Sequence, residues 1–200
     1  MLETFLYEAR ENDNEFKNET FMQETVSNLD FTHIDFEQVT FIKCRFIDCD
    51  FQKTNFYNVQ FLRCDFSGCR FTDSCWNKTI IESSKADKTD FRNSYFKQSN
   101  IADSSFYYAN FTESAWNECG IKHCNFAEAA FTETKLRKFK PREVNFSRAD
   151  FFKTNLKDVD LSSCVIEGIM VSDSFRELRG VKISALQAAD LVRLLGVKFV

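Results

Sequence analysis

Two hundred residues, 44% apolar and carrying a net charge of −4, hold enough material for one domain or one continuous repeat array with a sizeable core. There are 24 Phe against only 5 Gly and 1 Pro, so the usual makers of tight turns are scarce and something else must bend this chain. The start, MLETFLYEAR, lacks the basic segment and apolar stretch of a secretory leader, and no apolar run approaches the ~18 residues that span a bilayer, which predicts a soluble, cytoplasmic protein.

Residues 1–13 precede any regular pattern and are expected to cap the repeat array behind them. From Phe16 the pattern is a ruler of five: 19 of the 24 Phe fall in one phase, with Phe31, Phe36, Phe41, Phe46, Phe51 and Phe56 as an unbroken run. Other positions of that phase, up to Val171, hold large apolar residues except at Ala86 and Pro141. Two residues earlier lies a second phase. From Val39 to Thr134 all 20 of its positions are Val, Cys, Thr, Ser or Ala, as a narrow site demands.

A period of five matches neither helix nor strand. It fits a chain that turns a quarter circle every five residues, the large residue (i) and the small one (i−2) pointing inward, so that four steps close one coil. Residue n then stacks on residue n+20, with coils about 4.8 Å apart. The fold class is all-β, a right-handed quadrilateral parallel β-helix over residues 14–173 with a short C-terminal α-helix. Steps such as CRFID, CDFQK, CDFSG and ANFTE resemble the pentapeptide-repeat motif, which implies the same solenoid.

Outward positions are i−1, i+1 and i+2. On the face of Phe31, Phe51 and Phe71 the outward acids are Asp30, Asp50, Asp73, Asp90, Glu113, Glu133, Asp150 and Asp173, against Lys53, Arg70, Arg92 and Lys153, a net of −4 and the most acidic of the four faces. A rod bearing an acid stripe can occupy a basic DNA-binding saddle in place of DNA, or simply be kept soluble by it. Met22, Ile42 and Leu62 make an outward apolar stripe that the segment before the repeat is expected to cover. Tyr107 and Tyr108 form a smaller aromatic protrusion.

KLRKFKPR gathers Lys135, Arg137, Lys138, Lys140 and Arg142, and its inward pair Phe139 and Pro141 suggests a bulge that breaks the ladder. Cys44, Cys49, Cys64 and Cys69 have a spacing that superficially suits zinc, but all four sit at i−2 and read as small buried fillers, as do Cys119, Cys124 and Cys164. Cys75 alone points outward as a candidate reactive thiol. His33 and His123 lie on outward positions of different faces, and no catalytic, metal or cofactor constellation emerges. The chain reads as no enzyme.

After Val171 the period stops. Residues 174–200 contain a capping box from Ser184 to Gln187, a helix over 185–195 with Leu191, Val192 and Leu195 on one side, and Gly196 as its terminator. Gly180, Val181, Lys182, Ile183, Gln187, Ala188, Leu191, Leu195, Gly196 and Val197 resemble the tail of the quinolone-resistance (Qnr) pentapeptide proteins, and Ala86 falls where those proteins also lose the large residue. The unbroken phase is closer to loopless members of the MfpA type. The resemblance implies a head-to-head homodimer through Ile183, Leu186, Leu191, Val192, Leu195, Val197 and Phe199. It also implies binding to DNA gyrase or topoisomerase IV with altered fluoroquinolone sensitivity, and no direct contact with nucleic acid or membrane. The alternative is an interaction rod for another partner, or an immunity protein against a peptide gyrase poison.

Overall fold

The computed structural model describes residues 1–198. Its strands are three residues long, each centred on the large inward residue, as a five-residue step with two corners requires. Two parallel sheets of seven strands each form neighbouring faces. The first runs from Glu15–Lys17 through Asn55–Tyr57 to Lys135–Arg137, the second from Thr20–Met22 through Gln60–Leu62 to Lys140–Arg142. Register advances by one coil throughout, with Phe36 opposite Phe56 and Phe41 opposite Phe61.

The fourth face, that of Phe31, and the third face from Phe66 onward are built from tight turns. There the carbonyl of residue i accepts the N–H three residues on, as Phe31 does from Ile34 (3.2 Å) and Phe66 from Cys69 (3.2 Å).

Left-handed backbone takes over the task of the missing glycines. The residue at i+2 has φ near +55° in step after step, for example Asn18 (+56°), Lys53 (+57°) and Glu113 (+60°). Such a conformation costs an L-residue roughly 1–2 kcal/mol. What offsets it at most corners is a hydrogen bond, since the N–H donates to a main-chain carbonyl of the next coil, as Lys53 does to that of Thr72 at 2.9 Å. β-Branched side chains tolerate φ > 0 worst, and from Asn18 to Gly168 none occupies this position.

The core is a set of ring stacks. Phe51 lies on Phe71 with centroids 4.5 Å apart and planes at 5°, and on Phe31 at 4.6 Å and 3°. Adjacent faces meet edge-on, Phe41 to Phe46 at 5.5 Å and 82°. Coil spacing forces the face-on contact, while the square cross-section supplies the favoured T-shaped one.

The small side chains at i−2 do more than fit a narrow slot. Their hydroxyls and thiols donate to main-chain carbonyls of the preceding coil, Thr54 to Phe31 (2.8 Å), Ser94 to Phe71 (2.7 Å) and Cys64 to Phe41 (3.3 Å). Both tryptophans sit where i−2 is Ser and donate their indole N–H to it, Trp76 to Ser74 at 2.7 Å and Trp116 to Ser114 at 3.1 Å.

The expected bulge at Phe139 and Pro141 does not occur. Lys140–Arg142 is a regular strand, Pro141 pairs with Ile121, and buried Phe139 meets Trp116 edge-on at 5.7 Å. Large and small residues have exchanged places between i−2 and i, so the step fills the same volume and the ladder continues.

The ends are closed differently. At the N-terminus helix α1 (Leu2–Glu11) lays Phe5 against Phe16 and Phe21 and buries Leu2, Leu6 and Ala9. It covers the open cross-section rather than the side stripe. Met22 is 57% exposed, contrary to the expectation that the N-terminus shields it.

At the C-terminus a 3-10 turn (Ala185–Gln187) leads into helix α2 (Ala188–Leu194), dividing what the sequence suggests is one helix. Leu191 and Leu194 face the rod, not Leu195, which is 61% exposed.

Two buried polar side chains replace the missing next coil. Glu177 accepts the Lys153 N–H (2.9 Å) and the Ser172 hydroxyl (2.9 Å). Gln187 donates to the carbonyls of Leu161 (2.8 Å) and Cys164 (2.6 Å) while accepting the Ser184 N–H (2.7 Å).

Candidate functional site

The eight acids of the fourth face divide into two groups once their partners are known. Asp30, Asp50, Asp90 and Asp150, all at i−1, each accept the N–H two residues on, at 2.8, 3.0, 3.1 and 2.8 Å, and so build the tight turns of that face. Asp50 is also bound by Arg70 and Asp90 by Arg92. Asp30 meets Arg10 of α1 at 3.5 Å, a base that counting along the repeat does not assign to this face and that reduces its net charge from −4 to −3. Burial pushes the Asp30 carboxyl up, but the Thr32 hydroxyl and N–H, with Arg10 beside them, outweigh it and hold the group below its ordinary value.

Asp73, Glu113 and Glu133 belong to the second group, on the left-handed corners, where the side chain stands clear of the backbone. Asp73 accepts from the Gln52 amide at 3.4 Å, Glu133 pairs with Lys153 at 2.7 Å, and Glu113 has no ion-pair partner among the described residues. Asp173 lies exposed beyond the last full coil. The stripe is thus real as a line, but half of it is structural.

The tail residues also separate. Ile183 and Leu191 pack on the protein's own core, and Val192 is half-buried. Leu186 (91% exposed), Leu195 and Val197 stand free, and Phe199 lies outside the described residues.

Cys75 is half-buried and desolvation raises its thiol above the ordinary value, so it is not an activated nucleophile. Burial likewise pushes Cys124 up to about 11. Tyr107 and Tyr108 pack edge to face at 5.1 Å, with Tyr108 on a left-handed corner.

His123, isolated in sequence, stands between Asp103 (3.2 Å) and Glu143 (3.1 Å), one from each neighbouring coil. The signal was available: the three residues share one phase of the coil.

Against known proteins, the family model "Pentapeptide repeats" matches in eight copies over residues 34–73 and 124–168. A search of curated proteins gave no match. Among solved structures, trypsin-treated QnrB1, described as a plasmid-mediated fluoroquinolone resistance protein, superposes with a TM-score of 0.57 at 21% identity, covering 93% of this chain and 97% of that one. A second trypsin-treated QnrB1 variant gives 0.54 with the same identity and coverage. This is a pentapeptide-repeat solenoid. At such identity the likeness extends to the fold of the rod and its cap. Among the described residues no helix of the solenoid is long and apolar enough to cross a membrane.

Proposed function

We propose that this solenoid binds a type II topoisomerase, DNA gyrase or topoisomerase IV, through its acidic fourth face, standing in for DNA and altering the response to fluoroquinolones. The observation that carries the reading is the excess of acids, interspersed with four bases, along one face of a rod that superposes on QnrB1 over nearly its whole length. Of the corner carboxylates Asp73, Glu113 and Glu133, which owe nothing to the turns beneath them, Glu113 has no ion-pair partner among the described residues and Glu133 would exchange exposed Lys153 for a basic saddle. Leu186, Leu195 and Val197 support pairing through the C-terminal end, an apolar group left uncovered beside α2. A dimer would double the length of the stripe.

A gyrase supercoiling assay with and without a fluoroquinolone tests the proposal. Wild type should inhibit supercoiling, or relieve drug inhibition, at micromolar protein, and the variant Asp73→Lys/Glu113→Lys/Glu133→Lys should not. Neither effect from wild type would end the reading.

A further inference from the structure

The rod carries a second charged surface of opposite sign. Strands Lys135–Arg137 and Lys140–Arg142 are consecutive, one on the first sheet and one on the second, joined at the Lys138 corner. Their outward residues Lys135, Arg137, Lys140 and Arg142 are all exposed, and none forms an ion pair among the described residues. Lys122 stands in register beside Arg142, and Lys157 lines one shallow depression with Lys135. Lys138 pairs with Glu118 at 2.6 Å. In the strands Ala115–Asn117, Gly120–Lys122, Lys135–Arg137 and Lys140–Arg142 no outward side chain is acidic. Among the nearby acids Glu118 holds Lys138 and Glu143 holds His123 from corners, and Asp160, exposed one coil beyond Lys140, stands in register with Lys182. The second sheet lies opposite the acidic face and the first beside it, so Lys140 and Arg142 point away from the acids while Lys135 shares a depression with Glu133.

We propose that this surface binds the phosphodiester backbone of nucleic acid. Two cations on one strand are two residues apart, about 6.6 Å, and coils are about 4.8 Å apart. Successive phosphates of one DNA strand rise about 3.4 Å along the axis while winding around it, so long Lys and Arg side chains at these spacings reach neighbouring phosphates. The outward residues in register with the cations on the preceding coil are Ala115, Asn117 and Gly120, with no aromatic or large aliphatic side chain. A protein partner would need such an apolar anchor, whereas phosphate contacts are made by Lys, Arg and Asn on a flat polar surface and carry no sequence preference. The proposal does not rest on topoisomerase binding and stands or falls independently of it.

The test is fluorescence anisotropy of the full chain with a labelled mixed-sequence duplex and the matching single strand. Binding with micromolar affinity is expected at about 50 mM salt, weakening on the order of 100-fold by about 200 mM if roughly four phosphates are neutralised. Lys135→Glu/Arg137→Glu/Lys140→Glu/Arg142→Glu should lose at least tenfold in affinity and flatten the salt dependence. Lys43→Glu/Arg63→Glu, at the far end of the same face, should change affinity less than about threefold. The ratio of duplex to single-strand affinity identifies which form is held. Cooperative unfolding and an unchanged far-ultraviolet circular dichroism spectrum confirm that both variants fold. No binding at low salt, equal losses in the two variants, or tighter binding of polyglutamate than of DNA would overturn the proposal.

Discussion

The two ends of the solenoid solve one problem by different means. At the N-terminus an amphipathic helix lays its apolar side over the open ring stack, so Phe5 continues the aromatic packing of Phe16 and Phe21 beyond the first coil. At the C-terminus the closure adds a polar part to the apolar one, as Glu177 and Gln187 reach the N–H and C=O groups that a further coil would have met. The contrast teaches that a solenoid end exposes two liabilities, an apolar cross-section and unpaired main-chain groups. The aromatic end is closed by surface area, the aliphatic end of Leu156, Leu161 and Ile166 by the packing of Ile183, Leu191 and Leu194 together with buried hydrogen bonds.

The sharpest way to strain that comparison lies between the ends. Phe71 touches rings on its own and both neighbouring coils, so Phe71→Ala should cost about 3–5 kcal/mol, read by urea unfolding, and more than any change in either cap. At the apolar end Phe5→Ala should cost about 1.5–3 kcal/mol.

At the polar end Glu177→Leu leaves the Lys153 N–H buried without its acceptor and should cost about 1–3 kcal/mol, whereas Phe5→Leu should be milder. This effect has a pH signature. Burial works to raise the Glu177 carboxyl, but the N–H groups and the Ser172 hydroxyl hold it below its ordinary value. A folded-state value below the unfolded one means that the stabilisation is present above about pH 4.3 and lost as pH falls through the folded value. The stability gap between wild type and Glu177→Gln should therefore narrow in acid, while that of Phe5→Ala should not.

Smaller still, Asn58→Val places a β-branched side chain on a left-handed corner (+54°) and should cost roughly 1–2 kcal/mol. Asp50→Asn removes an exposed ion pair worth under about 1 kcal/mol and should hardly move the unfolding midpoint.

The repeat was legible because an inward residue has a fixed phase. Nothing but a five-residue step puts Phe31 through Phe71 on one ruler, and stacking follows from it. Legibility faded where two positions compensate each other. Phe139 and Pro141 look wrong one at a time and fit only as an exchange, which the separate preferences of i and i−2 cannot reveal. The corner positions carried a signal of a negative kind, the lack of Val, Ile and Thr at i+2, and it stood unread beside the conspicuous Phe. Glu177 could not be found from pattern, because its role is defined by groups more than a full coil away that lack a partner only where the pattern stops. For the acidic face, sequence supplied the line of charges but not the division between carboxylates that build turns and those left to act. Arg10 entered from outside the repeat altogether.

The left-handed corners make the rod behave like a combination dial. Each five-residue click advances the chain one quarter, so inserting a single extra step anywhere would swing every later side chain to the neighbouring wall. Acids before and after the insertion would then no longer lie in one line, although each half would keep its own interior. Only whole revolutions of four clicks lengthen the molecule without scrambling its exterior, which makes length and surface pattern separately adjustable in this architecture.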